Sequence, residues 1–169
     1  MRVHGSGTPP HRPRFAGVLS VDVGHTSAMS PAEQTALVDH LNEDLRLEFQ
    51  SIVQYVQHVA VITGAEYTSI VDELKVHLGQ ELTHATVLAE QVAFLGGTPE
   101  TTVGAPPSIA DSRDALAADL ELEEHQLQRY RERVAEATEG GLPDVAEALR
   151  PLLTQTQEHV RDLKAALGE

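Results

Sequence analysis

Cysteine is absent from the 169-residue chain, and so is tryptophan. The first absence excludes disulfides, thiolate zinc sites, iron–sulfur clusters and cysteine nucleophiles. Aromatic residues are only 4% of the chain. The apolar content therefore comes from Ala, Val, Leu and Ile, interleaved with Glu, Gln and Arg, a mixture that favours helix. Basic residues are also scarce, 12 Lys and Arg against 26 Asp and Glu, for a net charge of −14. No basic stripe is present, so a nucleic-acid partner is not expected. An acidic surplus attracts metal cations, although solvated acidic helix faces give the same composition. No apolar run is long enough to span a membrane. The most apolar part of the N-terminal stretch, residues 15–23, is interrupted by Gly17, Ser20 and Asp22. It makes a poor signal peptide, and a cytoplasmic location is expected.

Residues 1–29 read as a flexible arm, with Pro9, Pro10, Pro13, several glycines and no sustained periodicity. His4, His11 and His25 fall there and read as surface histidines. Residues 30–169 read as one helical unit, a length that suits a single domain with a sizeable core. Ser30-Pro31-Ala32-Glu33 has the form of a capping box with Pro at the first helical position. The first helix should run to about residue 63 and the second from about 65 to 95, where Gly96-Gly97-Thr98-Pro99 stops it. Ser108-Ile109-Ala110-Asp111 reads as a second capping box, opening a third helix that Gly140-Gly141 ends. The fourth runs from Pro143 to about residue 167, with a kink expected at Pro151.

The short first and third connections predict two antiparallel hairpins. The middle connection holds roughly 13 residues, which reach about 43–47 Å when extended. A helix of about 30 residues is about 45 Å long. The linker can therefore run the length of the bundle and leave the second and third helices parallel, the topology of a ferritin-like four-helix bundle.

Each helix carries an apolar stripe in 4-3 spacing. The stripes are interrupted near their midpoints by Glu48, Glu81, Glu123 and His159, and His84 lies on the face of Glu81, one turn on. In an aligned bundle these residues share one central layer. A buried carboxylate without a partner costs several kcal/mol, and three in one layer repel one another. Folded domains are stable by only about 5–15 kcal/mol, so a positive charge must offset them. Few basic residues lie on the stripes. A pair of metal ions is the solution this donor set favours, with iron, manganese or zinc all suited to carboxylate and imidazole. Taken singly, each of these residues reads more simply as an exposed Glu or a satisfied core histidine. Their matched depth on four helices carries the metal reading.

The segments Leu41-Asn42-Glu43-Asp44-Leu45-Arg46-Leu47-Glu48 and Gln54-Tyr55-Val56-Gln57-His58 resemble the first helix of the bacterioferritins. Glu81-Leu82-Thr83-His84, followed by Phe94-Leu95-Gly96-Gly97-Thr98-Pro99, resembles that family's second helix, and Asp119-Leu120-Glu121-Leu122-Glu123 its third. The resemblance covers residues 30–167. It implies that Glu48 and His84 hold one iron, Glu123 and His159 the other, and that Glu81 bridges them with Tyr55 beside the site. It further implies a ferroxidase, which oxidises Fe(II) with oxygen or peroxide and stores the product.

Three departures qualify the resemblance. Thr156 stands where a second bridging Glu belongs, and Asp162, Gln155 and His77, one turn away, are the candidates to replace it. Leu82 stands where the family's haem-ligating Met belongs, so no haem of that type is expected. The chain given ends soon after the fourth helix, which argues for a homodimer or small homo-oligomer over a 24-subunit cage. The competing readings are another di-metal redox enzyme, such as a rubrerythrin-like peroxidase or a manganese catalase, and a non-catalytic ferritin-like scaffold.

Overall fold

A computed structural model describes residues 29–169. The expected arm and its three histidines lie outside the described residues, save for Met29, whose N–H donates to the Gly140 carbonyl at 3.2 Å. Four helices follow: α1 (Pro31–Val61), α2 (Thr68–Phe94), α3 (Ser112–Glu139) and α4 (Pro143–Leu167), with a 3-10 turn at Ala65–Tyr67 before α2. No strand occurs among the described residues.

The helix ends follow local chemistry. The Ser30 hydroxyl accepts from the Glu33 N–H at 3.3 Å, and the Glu33 carboxylate accepts from the Ser30 N–H at 2.7 Å, a closed capping box. At α3 the expectation is corrected. Asp111, not Ser108, is the cap, its carboxylate accepting from the N–H groups of Arg113 at 2.9 Å and Asp114 at 3.0 Å. One short acidic side chain meets two otherwise unpaired amides, and residues 108–110 stay with the linker. Helix α4 continues through Pro151, which offers no N–H to the Glu147 carbonyl one turn earlier.

The linker runs beside α1 in the same direction. Gly97 packs against Val38. Asn42 donates to the Thr98 carbonyl at 3.1 Å and accepts from the Glu100 N–H at 2.8 Å. Gly104 lies against Gln50, where a Cβ would collide with the Gln50 amide oxygen. Ser112 reaches the backbone of Thr63 at 3.0 and 3.1 Å. The chain thus returns along the whole of α1 before α3 begins.

Two apolar clusters fill the interior. One holds Leu37, Leu41, Leu45, Leu88, Val92, Val134 and Leu149, and the other Ile62, Leu74, Leu116, Leu120, Leu163 and Leu167. Along α1 and α4 the first cluster precedes the second; along α2 and α3 the order is reversed. Helices α2 and α3 are therefore parallel, as the long crossover requires. Every position of the four sequence stripes is buried or half-buried. The polar interruptions fall between the two clusters, at mid-height.

Candidate metal centre

Glu48, Glu81, Glu123, His84 and His159 are each at most 1% exposed. They form two groups whose potential ligand atoms lie within 4.8 Å of one another: Glu48, Glu81 and His84, and Glu81, Glu123 and His159. All five residues expected from the sequence are brought together, and Glu81 is common to both groups. His84 Nδ1 lies 3.3 Å from Glu81 Oε2 and 3.8 Å from Glu48 Oε2. His159 Nδ1 lies 2.9 Å from Glu81 Oε1 and 3.3 Å from Glu123 Oε2.

The far edges of both imidazoles are held by glutamines. His84 Nε2–H donates to Gln155 Oε1 at 2.7 Å, and His159 Nε2–H donates to Gln80 Oε1 at 2.8 Å. An amide oxygen only accepts, so each ring carries a proton on Nε2 and turns Nδ1 toward the carboxylates. Two tyrosines hold the outer carboxylates. Tyr55 donates to Glu123 Oε1 at 2.5 Å and Tyr130 donates to Glu48 Oε1. Gln126 also donates to Glu48, at 2.9 Å, and accepts from Ser51 at 3.0 Å. Sequence reasoning anticipated Tyr55, took Gln155 only as a candidate bridge, and missed Tyr130, Gln80 and Gln126. A signal was present: Glu48 and Tyr55 are spaced like Glu123 and Tyr130, and Gln80 and Gln155 each stand four residues before a histidine.

The electrostatics show what this layer lacks. Burial, then the charge of Glu81, pushes the Glu48 carboxyl well up from its ordinary range; burial, then the charge of Glu123, raises Glu81. Burial pulls the His159 imidazole down, but hydrogen bonds and negative charge from Glu123 and Glu81 outweigh it and hold it up at about 10. Burial keeps the phenols of Tyr55 and Tyr130 protonated far above their usual range, so both remain donors. Glu48 Oε2, Glu81 Oε2 and His84 Nδ1 are buried with no hydrogen-bond partner, and Glu81 Oε1 meets His159. Unmet acceptors of this kind cost about 1–3 kcal/mol each. Carboxylate oxygens and imidazole nitrogens converging on two points suit divalent transition metals, which displace their protons on binding, so the donor set fits a metal pair.

Thr156 is 1% exposed and occupies the fourth side of the layer. Of the three candidates to replace a second bridge, Gln155 is committed to His84. His77 and Asp162 belong with Glu73 to a separate group.

Two buried polar clusters flank the layer. Asp119 accepts from Gln54 at 2.9 Å and pairs with His58 Nδ1 at 2.7 Å. Asp44 pairs with Arg129, and with Arg133 at 3.6 Å. Burial raises both aspartates, and these partners offset part of the rise.

Residues 38–169 match the ferritin-like domain family, and the chain belongs to it. No curated protein sequence matches the chain. Among solved structures it is similar to a ferritin-like diiron-carboxylate protein from Bacillus anthracis str. Ames, with 27% identity over 82% of this chain and 99% of that one and a TM-score of 0.77. The dodecameric thioferritin of Bacteroides fragilis, a bacterioferritin-related protein, shares 23% identity over 80% of this chain and 86% of its own, at a TM-score of 0.73. Rhodobacter capsulatus bacterioferritin, a structure with a metal-free dinuclear site and haem iron, shares 24% identity over 79% and 84%, at a TM-score of 0.71. The chain thus has a ferritin-like, diiron-carboxylate type of fold with candidate metal-ligand groups at its centre. No helix among the described residues is long and apolar enough to cross a membrane.

Proposed function

We propose that the protein is a cytoplasmic iron-binding ferroxidase, which takes up Fe(II) in this layer and oxidises it with oxygen or peroxide. The observation that carries the reading is Glu81. It is 1% exposed and lies between the Nδ1 atoms of His84 at 3.3 Å and His159 at 2.9 Å. A buried carboxylate that turns one oxygen to each of two imidazoles is suited to bridging two cations.

In this reading Glu48, Glu81 and His84 hold one Fe(II), and Glu81, Glu123 and His159 the other. Two Fe(II) ions together supply two electrons, the number needed to take oxygen to peroxide or peroxide to water. The protein's own part is positional. Tyr55 and Tyr130 fix the outer carboxylates, Gln80 and Gln155 aim the histidines, and the two apolar clusters keep the layer dry. His159 gives up its Nδ1 proton as a cation takes its place. Haem has no part in the reading, because Leu82, 61% exposed, brings a hydrocarbon to the position of the resemblance's haem ligand.

The test is anaerobic titration with Fe(II), followed by oxygen and peroxide consumption on wild type and Glu81→Ala. Two Fe(II) per chain, rapid oxidation, and loss of both in the variant are expected. Metal content unchanged in Glu81→Ala overturns the assignment, and binding without oxidation reduces the protein to a metal-binding scaffold. Exposed Val53, Val56, Leu82 and Phe94 support self-association as a dimer or small oligomer, which light scattering measures.

A further inference from the structure

A second cluster lies one helical turn from the proposed dinuclear centre. His77 precedes Glu81 by one turn on α2, and Asp162 follows His159 by one turn on α4. With Glu73, one turn before His77, they place three potential ligand atoms within 4.8 Å of one another. The His77 ring is stacked on His159, with centroids 3.9 Å apart. We propose that Glu73, His77 and Asp162 form a third cation site, for a divalent transition metal of the Fe(II), Mn(II) or Zn(II) class.

The histidine itself points to a ligand. The His77 side chain is 3% exposed, and its Nδ1 has no hydrogen-bond partner. Its Nε2 stops 3.6 Å from Asp162 Oδ2. That separation is too long for a hydrogen bond. It is close to the spacing of two ligands on one ion, because atoms each about 2.1 Å from a common metal lie about 3.0–3.4 Å apart. A modest closure on binding would complete the set. One imidazole and two carboxylates suit borderline transition ions better than Mg(II) or Ca(II).

The surroundings leave the site reachable. A cleft of about 680 Å³ opens between α2 and α4, lined by Glu66, Ser69, Glu73, Arg161 and Asp162 among others. Three of these residues are acids. Arg161 is the one cation among the described residues lining the cleft; its Nε lies 3.4 Å from Asp162 Oδ1, its side chain is 69% exposed, and it leaves Oδ2 turned toward His77. The inner wall of the cluster is the stacked pair of imidazoles, and His159 faces Glu81 and Glu123 on the other side. A cation entering by this cleft meets His77 one ring away from the dinuclear layer.

The experiment counts cobalt. Co(II) alone is the probe, titrated by equilibrium dialysis with excess Mg(II) present to fill exposed carboxylates. Three proteins are compared: wild type, the Glu73→Gln/Asp162→Asn double variant and Glu81→Ala, each checked for helicity by circular dichroism. Glu73 and Asp162 are not core positions, so the double variant keeps its packing. Three Co(II) are expected on wild type. The double variant should keep two, with the lost one weakened at least tenfold, and Glu81→Ala should keep only the one at His77. The proposal fails if wild type binds two and the double variant also binds two, or if the third ion survives in the double variant. The proposal does not depend on the ferroxidase reading. If wild type binds a single ion that the double variant loses and Glu81→Ala retains, the His77 site stands and the dinuclear reading falls; the converse loss overturns the His77 site.

Discussion

Gln80 and Gln155 each hold the histidine of the other's helix. Gln80 on α2 accepts from His159 on α4, and Gln155 on α4 accepts from His84 on α2. The two residues are 75 positions apart, as are His84 and His159, Glu48 and Glu123, and Tyr55 and Tyr130. The hydrogen bonds cross in the same sense, Tyr55 to Glu123 and Tyr130 to Glu48. A pseudo-two-fold axis therefore passes through the layer, and Thr156 breaks it where Glu81 has no counterpart.

The glutamine bonds should matter to metal affinity more than to folding. Gln80→Leu and Gln155→Leu each remove the acceptor that fixes an Nε2 proton. Loss of such a supporting bond costs about 10–100-fold in affinity. Gln155→Leu should weaken the ion on His84, and Gln80→Leu the ion on His159. Isothermal titration with Zn(II) measures both, and equal affinities in all three proteins would show that the rings need no such support.

The broken symmetry predicts unequal ions. The Glu123–His159 position should bind more weakly than the Glu48–His84 position, because its imidazole must first give up the proton that Glu123 and Glu81 hold on it, with no second bridging carboxylate to offset that cost. Thr156→Glu places a carboxylate on the missing side of the layer. It should tighten the weaker position at least tenfold and speed Fe(II) oxidation in stopped-flow. Two equally tight ions in wild type, unchanged in the variant, would mean that some other group supplies the bridge.

Alkali should weaken the metal-free fold. His159 stands at about 10 in the folded protein against an ordinary value of 6.5. A raised histidine contributes stability that is complete below 6.5 and is lost as pH rises through 10. Glu48 and Glu81, also raised, act in the same direction above the usual carboxylate range. The melting temperature of metal-free protein should fall between pH 7 and pH 10. Zn(II) should flatten that fall, and its binding should release protons and strengthen with pH. Calorimetry in two buffers of different ionisation enthalpy reads the proton release; none released would remove the proton from His159 Nδ1.

The tyrosines should contribute most when metal is absent. Tyr130→Phe removes one donor from Glu48, and Tyr55→Phe removes one from Glu123. A hydrogen bond is worth about 0.5–1.5 kcal/mol, and about 1.5–3 kcal/mol when its acceptor is charged. Urea unfolding of metal-free protein should show a loss of that size for each variant, and a smaller loss once Zn(II) shares the carboxylate charge.

The sequence made the bundle and its central layer legible because both rest on periodicity. Apolar stripes in 4-3 spacing located the helices, and Glu48, Glu81, Glu123 and His159 stood out as polar residues in apolar seams. The third helix start was misplaced because two Ser/Asp caps lay three residues apart, and only the path of the linker decides between them. The roles of Gln80, Gln126 and Gln155 were harder to read for another reason. Glutamine is an ordinary residue of helix surfaces, and only the place of Gln80 and Gln155 four residues before a histidine sets those two apart. The partners of Asp44 and Asp119 lie 61–89 residues away or on neighbouring turns of another helix, so their pairing follows from helix packing rather than from any local motif.

The division of the layer between the hairpins bears on the order in which the chain matures. Glu48, Glu81 and His84 all belong to α1 and α2, so the N-terminal hairpin contains a full three-residue set before α3 has been synthesised. The C-terminal hairpin brings only Glu123 and His159, and must dock against α2 to acquire Glu81. Domains emerge from the ribosome N-terminus first. A cation captured early would therefore be held by the half made first, and would act as a template on which the second half closes.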